Sequence, residues 1–181
     1  MVLELLGALV VFILFYLVYL YNKFISLRTR VQRAWSQIDV FLKRRYDLIP
    51  NLVETVKSYS KYEKQTLVAI TKNRAGLIDG TLASRSEKNK VVSSALKTIF
   101  AVAESYPDLK ASENFLKLQD ELVATENSIA YVRIGYNDDV LEYNIMVNSF
   151  PSNFMAKMLG LNAMEFFGAS PEEKEGIKID I

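Results

Sequence analysis

The chain has 181 residues, with 22 Lys and Arg against 21 Asp and Glu, a net charge of +1. That balance argues against a dedicated nucleic-acid binder, which needs a marked positive excess to meet phosphates. Cys and His are both absent, which excludes disulfides, imidazole or thiolate metal sites, Ser-His-Asp and Cys-His catalysis, and histidine phosphotransfer.

Leu5 to Tyr21 is a run of 17 residues without a charge. As a helix it extends ~26 Å, close to the hydrocarbon thickness of a bilayer. Tyr16, Tyr19 and Tyr21 gather at its C-terminal end, where amphipathic rings favour the headgroup region. No basic n-region precedes the run and no small-residue cleavage site follows it, so a transmembrane anchor is expected over 1–21 rather than a signal peptide. Lys23, Arg28, Arg30 and Arg33 follow the run directly. Basic flanks stay in the cytoplasm. The expected topology is therefore single-pass, with the N-terminus outside, only a few residues beyond it, and the body cytoplasmic.

Pro (4) and Gly (7) are scarce, so the body should be all-α with long helices. Beyond Tyr21 the helix is expected to continue, with a seam of Leu27, Val31, Ala34, Ile38 and Phe41 at 4-3-4-3 spacing. Residues 22–45 hold seven basic residues and one acid, Asp39. They suit either anionic lipid or a solvated helix face. Pro50 interrupts the pattern. With Asp47 as cap it predicts a new helix more readily than a kink in a continuing one. Leu52, Val56, Leu67, Ile70 and Leu77 form its apolar face, and Gly80 ends it in a left-handed conformation. Ser84-Arg85-Ser86-Glu87 reads as a capping box for a third helix carrying Val92, Ala95, Ile99, Val102 and Tyr106. Pro107 stops that helix. Ser112 caps a fourth, with Glu113 in the first turn where the helix dipole favours it. The fourth helix has a heptad seam of Phe115, Leu118, Leu122, Thr125, Ile129, Val132, Tyr136, Val140, Tyr143, Val147 and Phe150, with one inserted residue between Tyr136 and Val140. Pro151 closes it. A short apolar segment with Phe154, Met155, Met158, Leu159 and Leu161 comes next. An acidic tail over 168–181 is expected to be mobile.

Several strings are distinctive: L-K-R-R-Y-D-L-I-P-N-L-V-E-T-V-K (42–57), Y-P-D-L-K-A (106–111), N-F-L-K-L-Q-D-E-L (114–122), T-E-N-S-I-A-Y (125–131), Y-N (136–137 and 143–144) and F-P-S-N (150–153). In this order, behind a transmembrane helix, they resemble the LemA family of bacterial membrane proteins over about 21–167. The resemblance implies an antiparallel four-helix bundle with long helices for 22–167, in agreement with the helix count above. It carries no catalytic residue and no cofactor onto this chain. It implies protein partners, a membrane metallopeptidase among them, a role in envelope maintenance, and relatives at magnetosomes. Ser112 stands where the family is expected to carry Asn, and either residue caps a helix well.

The remaining chemistry is sparse. Asp138, Asp139 and Glu142 could gather as carboxylates, but a hard cation wants six or more shaped oxygen ligands, so a solvated helix face is expected. Arg44, Arg45, Asn51, Glu54, Glu104, Asn114, Gln119, Glu121, Glu126, Asn127, Arg133, Asn137 and Asn144 are the polar residues within the matching strings. Hydrogen bonds that fix helix register suit them better than a catalytic pocket. Lys43-Arg44-Arg45 suits helix salt bridges first and lipid phosphate second. The segment after Pro151 is either a lid over the helices or a docking face, for a partner or for the membrane surface, comprising Phe154, Met155, Met158, Leu159 and Leu161, with Met158 expected inside and Phe154 outside. Lys23, Arg28, Arg30 and Arg33 are the candidates for lipid-headgroup contact. The expected function is a membrane-anchored, non-enzymatic scaffold or adaptor. The alternative is a lipid-responsive sensor or organiser using the basic helix beside the membrane.

Overall fold

A computed structural model describes residues 1–59 and 64–168. The described residues form α1 (Val2–Tyr59), α2 (Lys64–Arg74), a 3-10 turn (Ala75–Leu77), α3 (Leu82–Ala103), α4 (Pro107–Lys110), α5 (Glu113–Asn148) and α6 (Ser152–Met158), with no strand among them. The expected all-α class is the one observed. The acidic tail beyond Gly168 lies outside the described residues. The chain divides into two compact units, one of Met1–Trp35 with Gly135–Phe166, the other of Ser36–Ile134 with Phe167–Ile181.

In the first unit, α1 begins with a stretch whose apolar side chains are all exposed, from Met1 to Tyr19. Packing begins at Leu20 and continues through Phe24, Leu27 and Val31 at 4-3-4 spacing, all buried. Residues so spaced share one helix face. Helix α5 supplies the opposing face with Tyr136, Val140, Tyr143 and Val147, also buried. The two run antiparallel: Trp35 meets Tyr136 with ring centroids 5.9 Å apart, and Phe24 meets Tyr143 edge-on at 6.4 Å.

In the second unit the α1 seam passes through Ile38, Leu42, Arg45, Ile49, Leu52 and Val56, again alternating 4 and 3, all buried. Phe41, expected in the seam, is half-buried, because the alternation continues through its neighbour Leu42. Pro50 does not start a helix; α1 runs through it. Lacking an N–H, Pro50 leaves the Tyr46 carbonyl without its helical donor. Arg74 replaces it: Arg74 Nε donates to Tyr46 O at 2.8 Å, and the guanidinium lies 3.7 Å from the Tyr46 ring centroid. The same contact corrects the expected single helix from Pro50 to Asp79-Gly80, which would carry position 74 ~36 Å along its axis from Pro50 and away from Tyr46. Helix α2 instead lies back along α1, and Leu67, Ile70 and Leu77 are buried as expected.

Gly80, with φ +106°, makes the turn into α3. The cap of α3 is Thr81, whose hydroxyl accepts from Ser84 N at 3.3 Å. The expected capping box at 84–87 is therefore already helical, and Arg85 and Ser86 are buried. Arg85 donates from Nε to Leu77 O at 2.9 Å and pairs with Asp39. Contacts from Asp39 to Arg85 and from Arg45 to Asn89 and Ser93 show α1 and α3 running the same way. Contacts from Ser93 to Glu126 and from Phe100 to Phe115 show α5 running the other way. Pro107 opens α4 at its first turn, and α5 follows Ser112 directly.

Candidate functional site

Two polar constructions and one apolar edge stand out. The first lies in the unit that contains the apolar start of α1. Arg30 bridges two carboxylates of α5, with Nη2 2.5 Å from Asp139 Oδ1 and Nη1 2.7 Å from Glu142 Oε2. Lys23 donates to the other oxygen of Glu142 at 3.3 Å. The hydrogen bond to Asp139 raises Arg30 above its ordinary value. Burial pushes the Glu142 carboxyl up, but hydrogen bonds and charge from Lys23 and Arg30 outweigh it and hold it below the usual range. Asp139 and Glu142 are thus held by α1, which corrects their expected reading as a solvated face. Asp138 is exposed. Among the described residues no group of three or more Asp or Glu is placed to hold a metal ion.

The second construction is a buried cation in the other unit. Arg45 occupies a seam position, is 1% exposed, and pairs with Glu126. Its Nη1 also donates to Asn89 Oδ1 and, at 2.9 Å, to Ser93 Oγ. Ser93 Oγ in turn donates to Glu126 Oε2 at 2.9 Å. Arg45 Nε is buried and finds no partner among the described residues. Burial pushes the guanidinium down to about 10, so it stays charged at neutral pH. One side chain of α1 thereby fixes the register of α3 and α5 together, the role expected for polar residues of the distinctive strings. Arg44 reaches Glu121 at 3.5 Å in a partly exposed pair. Asn51, Glu54, Asn114 and Lys117 line an open polar groove.

The apolar edge is built by the chain after α5. That helix ends at Asn148, so Phe150 falls outside the seam where it was expected and is 79% exposed. Its place before Pro151 accounts for this, because the residue preceding Pro is driven out of the helical region. Helix α6 buries Ser152, Met155 and Ala156. Phe154 and Met158 lie four residues apart, one helical turn, on the opposite face, and are 67% and 73% exposed. Met158 was expected inside. It follows Phe154 rather than Met155 because a four-residue step returns closer to the same face than a three-residue step does. Phe150 and Phe154 meet edge-on at 6.0 Å. Leu159 is exposed and Leu161 half-buried.

The strip that follows is tied back to α5. Asn144 Nδ2 donates to Met164 O at 2.9 Å, and Met164 N donates to Asn144 Oδ1 at 2.7 Å. Tyr136 Oη donates to Glu165 O at 2.9 Å. Burial, with the charge of Glu165 adding to it, pushes the Tyr136 phenol up to about 12. Tyr136 and Asn144, one from each Y-N pair, thus hold the strip that follows α6, while Ser152 ties the start of α6 to the end of α5, its Oγ donating to Met146 O at 2.6 Å.

Of the residues expected to meet lipid headgroups, Lys23 and Arg30 are engaged with α5, while Arg28 and Arg33 are exposed. Of the expected docking residues, Met155 is internal and Phe154, Met158 and Leu159 are external. The span from Leu5 to Tyr21 is helical throughout, and the most apolar window of α1 has no buried residue. Sequence reasoning missed the Arg74–Tyr46 clamp and the Thr81 cap.

A model of the LemA family matches residues 34–181. The chain is 30% identical over 165 residues to Protein LemA of Metamycoplasma hominis, which covers 89% of this chain and 75% of that protein. It is 25% identical over 178 residues to Magnetosome protein MamQ 2 of Paramagnetospirillum magneticum, and 23% identical over 178 residues to Magnetosome protein MamQ of Magnetospirillum gryphiswaldense. Each of these two matches covers 83% of this chain and 65% of the relative, so the chain spans just under two thirds of either magnetosome protein. The family match over most of the chain, together with the 30% relative, establishes that this protein belongs to the LemA family.

Proposed function

We propose that the chain is a membrane-anchored, non-enzymatic scaffold that presents helical surfaces to protein partners at the cytoplasmic face of a bacterial membrane. The observation that carries this reading is the passage of α1, without a linker, from an exposed apolar stretch ending at Tyr19 into the packed seam Leu20–Phe24–Leu27–Val31. An anchor joined this way holds the packed helices at a fixed height on the bilayer. A composition without Cys or His supports a non-catalytic role. The basic flank Lys23, Arg28, Arg30 and Arg33 supports a cytoplasmic body. The partners we propose are membrane proteins of the envelope, a metallopeptidase among them.

A second reading is a lipid-responsive sensor working through the basic stretch of α1. It keeps support from the exposed Arg28 and Arg33, but Lys23 and Arg30 already serve carboxylates of α5. The two readings separate when crosslinked partners of the full chain are compared with those of residues 22–181 in living cells. A scaffold keeps its partners without the anchor, and a lipid reader loses them. Recovery of no partner by the full chain would overturn the scaffold.

A further inference from the structure

The chain that leaves α5 carries four exposed large apolar side chains, Phe150, Phe154, Met158 and Leu159. Phe150, Phe154 and Met158 step by four residues and are 79%, 67% and 73% exposed; Phe154 and Met158 share one face of α6, and Phe150, just before the helix, meets Phe154 edge-on at 6.0 Å. Their height along α1 follows from the antiparallel pairing within the same unit. Trp35 faces Tyr136, Arg30 faces Asp139, and Phe24 faces Tyr143. Five further residues of α5, ~7.5 Å of rise, bring Asn148 level with Tyr19. That is where packing stops on α1: Leu20 is buried and every residue before it is exposed. The apolar edge therefore emerges beside the Tyr16, Tyr19 and Tyr21 cluster, at the height where the bilayer surface must lie if 5–21 spans it. The segment 148–164 holds no acid and a single charge, the exposed Lys157. An apolar face with a basic side chain at its border suits the boundary between acyl chains and anionic headgroups.

We propose that α6 is a membrane seat: Phe150, Phe154 and Met158 enter the lipid interface of the leaflet next to the body. With α1 this gives the body a second point of contact with the bilayer. Two contacts fix its tilt and rotation, whereas a single helix leaves both free. Ser152 ties the start of the seat to α5 through Met146 O at 2.6 Å, and Asn144 and Tyr136 hold the strip that follows it at Met164 and Glu165. This inference rests on the reading of 5–21 as a membrane span.

The chain has no native Cys, so single labels report without background. The full-length protein, reconstituted in vesicles of phosphatidylcholine and phosphatidylglycerol, is labelled with an environment-sensitive fluorophore at Phe154→Cys or Met158→Cys. Leu9→Cys, in the apolar stretch, and Asp138→Cys, exposed on α5, serve as references. The expected result is a blue-shifted emission at 154 and 158, quenched by brominated lipid and protected from aqueous iodide, as at 9 and opposite to 138. If 9 reads lipid while 154 and 158 read water, the seat is overturned and the anchor stands. If 9 itself reads water, the anchor fails and the seat with it. Protection of 154 and 158 from lipid and iodide alike would assign the edge to a second copy of the chain and overturn the lipid seat.

Discussion

Arg45 is the residue whose placement constrains most. A guanidinium in a helix seam loses its hydration, and it is retained because Asn89, Ser93 and Glu126 surround it with acceptors. Removing it leaves those groups facing a cavity. Arg45→Ala should therefore cost about 3 to 5 kcal/mol, measured by denaturant unfolding of residues 22–181, whereas a loss below about 1 kcal/mol would mean that the network does not form. Tyr136 gives a pH signature. Its folded value of about 12 lies above the ordinary value of 10.0. Between those values the unfolded chain has released the phenolic proton and the folded chain has not, so stability falls as pH rises through this window. Tyr136→Phe should flatten that part of the alkaline decline, while also losing about 1 kcal/mol at neutral pH with the hydrogen bond to Glu165. Both residues were visible in the sequence as polar or amphipathic members of seams and distinctive strings. Their partners were not, because Asn89, Ser93 and Glu165 are brought to them by chain reversals that no local pattern encodes.

Among the elements, the seams were legible wherever an apolar face repeats every three to four residues over many turns. Leu27, Val31 and Ile38 on α1, and Phe115, Leu122, Ile129, Tyr136, Val140 and Tyr143 on α5, are buried as expected. Boundaries were legible less well, and for one physical reason: a helix continues or stops according to whether its end groups find partners, and distant residues can supply them. Pro50 is the clearest case. The lone donor that α1 lacks there comes from Arg74, on another helix. A double-mutant cycle tests this directly. Arg74→Ala should destabilise the chain by about 1 to 3 kcal/mol, because it strands the Tyr46 carbonyl and removes the cation–π contact. In a Pro50→Ala background residue 50 supplies its own N–H to that carbonyl, so the same change should cost less by about 1 kcal/mol. Equal losses in the two backgrounds would show that Arg74 does not serve the proline gap. The apolar segment after Pro151 was legible as apolar but not as inside or outside. Periodicity names two faces of a short helix without saying which one meets the body, and Ser152, Met155 and Ala156 turned out to be the inner set.

For the whole molecule, the proposed function rests on where the chain sits more than on any reactive group. The apolar stretch 5–21 and its basic flank were readable at once, because a bilayer imposes a length and a charge rule on any sequence that spans it. The coupling of that stretch to a packed body depends on α1 staying helical beyond Tyr21, and it does so through Leu20, Phe24, Leu27 and Val31. What a scaffold binds is set by partner surfaces that this chain does not contain, so no spacing within it could name them. The central claim, a single-pass anchor with the body inside, is tested by labelling intact cells with a membrane-impermeant thiol reagent. With no native Cys, Val2→Cys should label from outside and Asp138→Cys only after the inner membrane is opened. Labelling of Asp138→Cys in intact cells, or recovery of the protein without the membrane fraction, would contradict it.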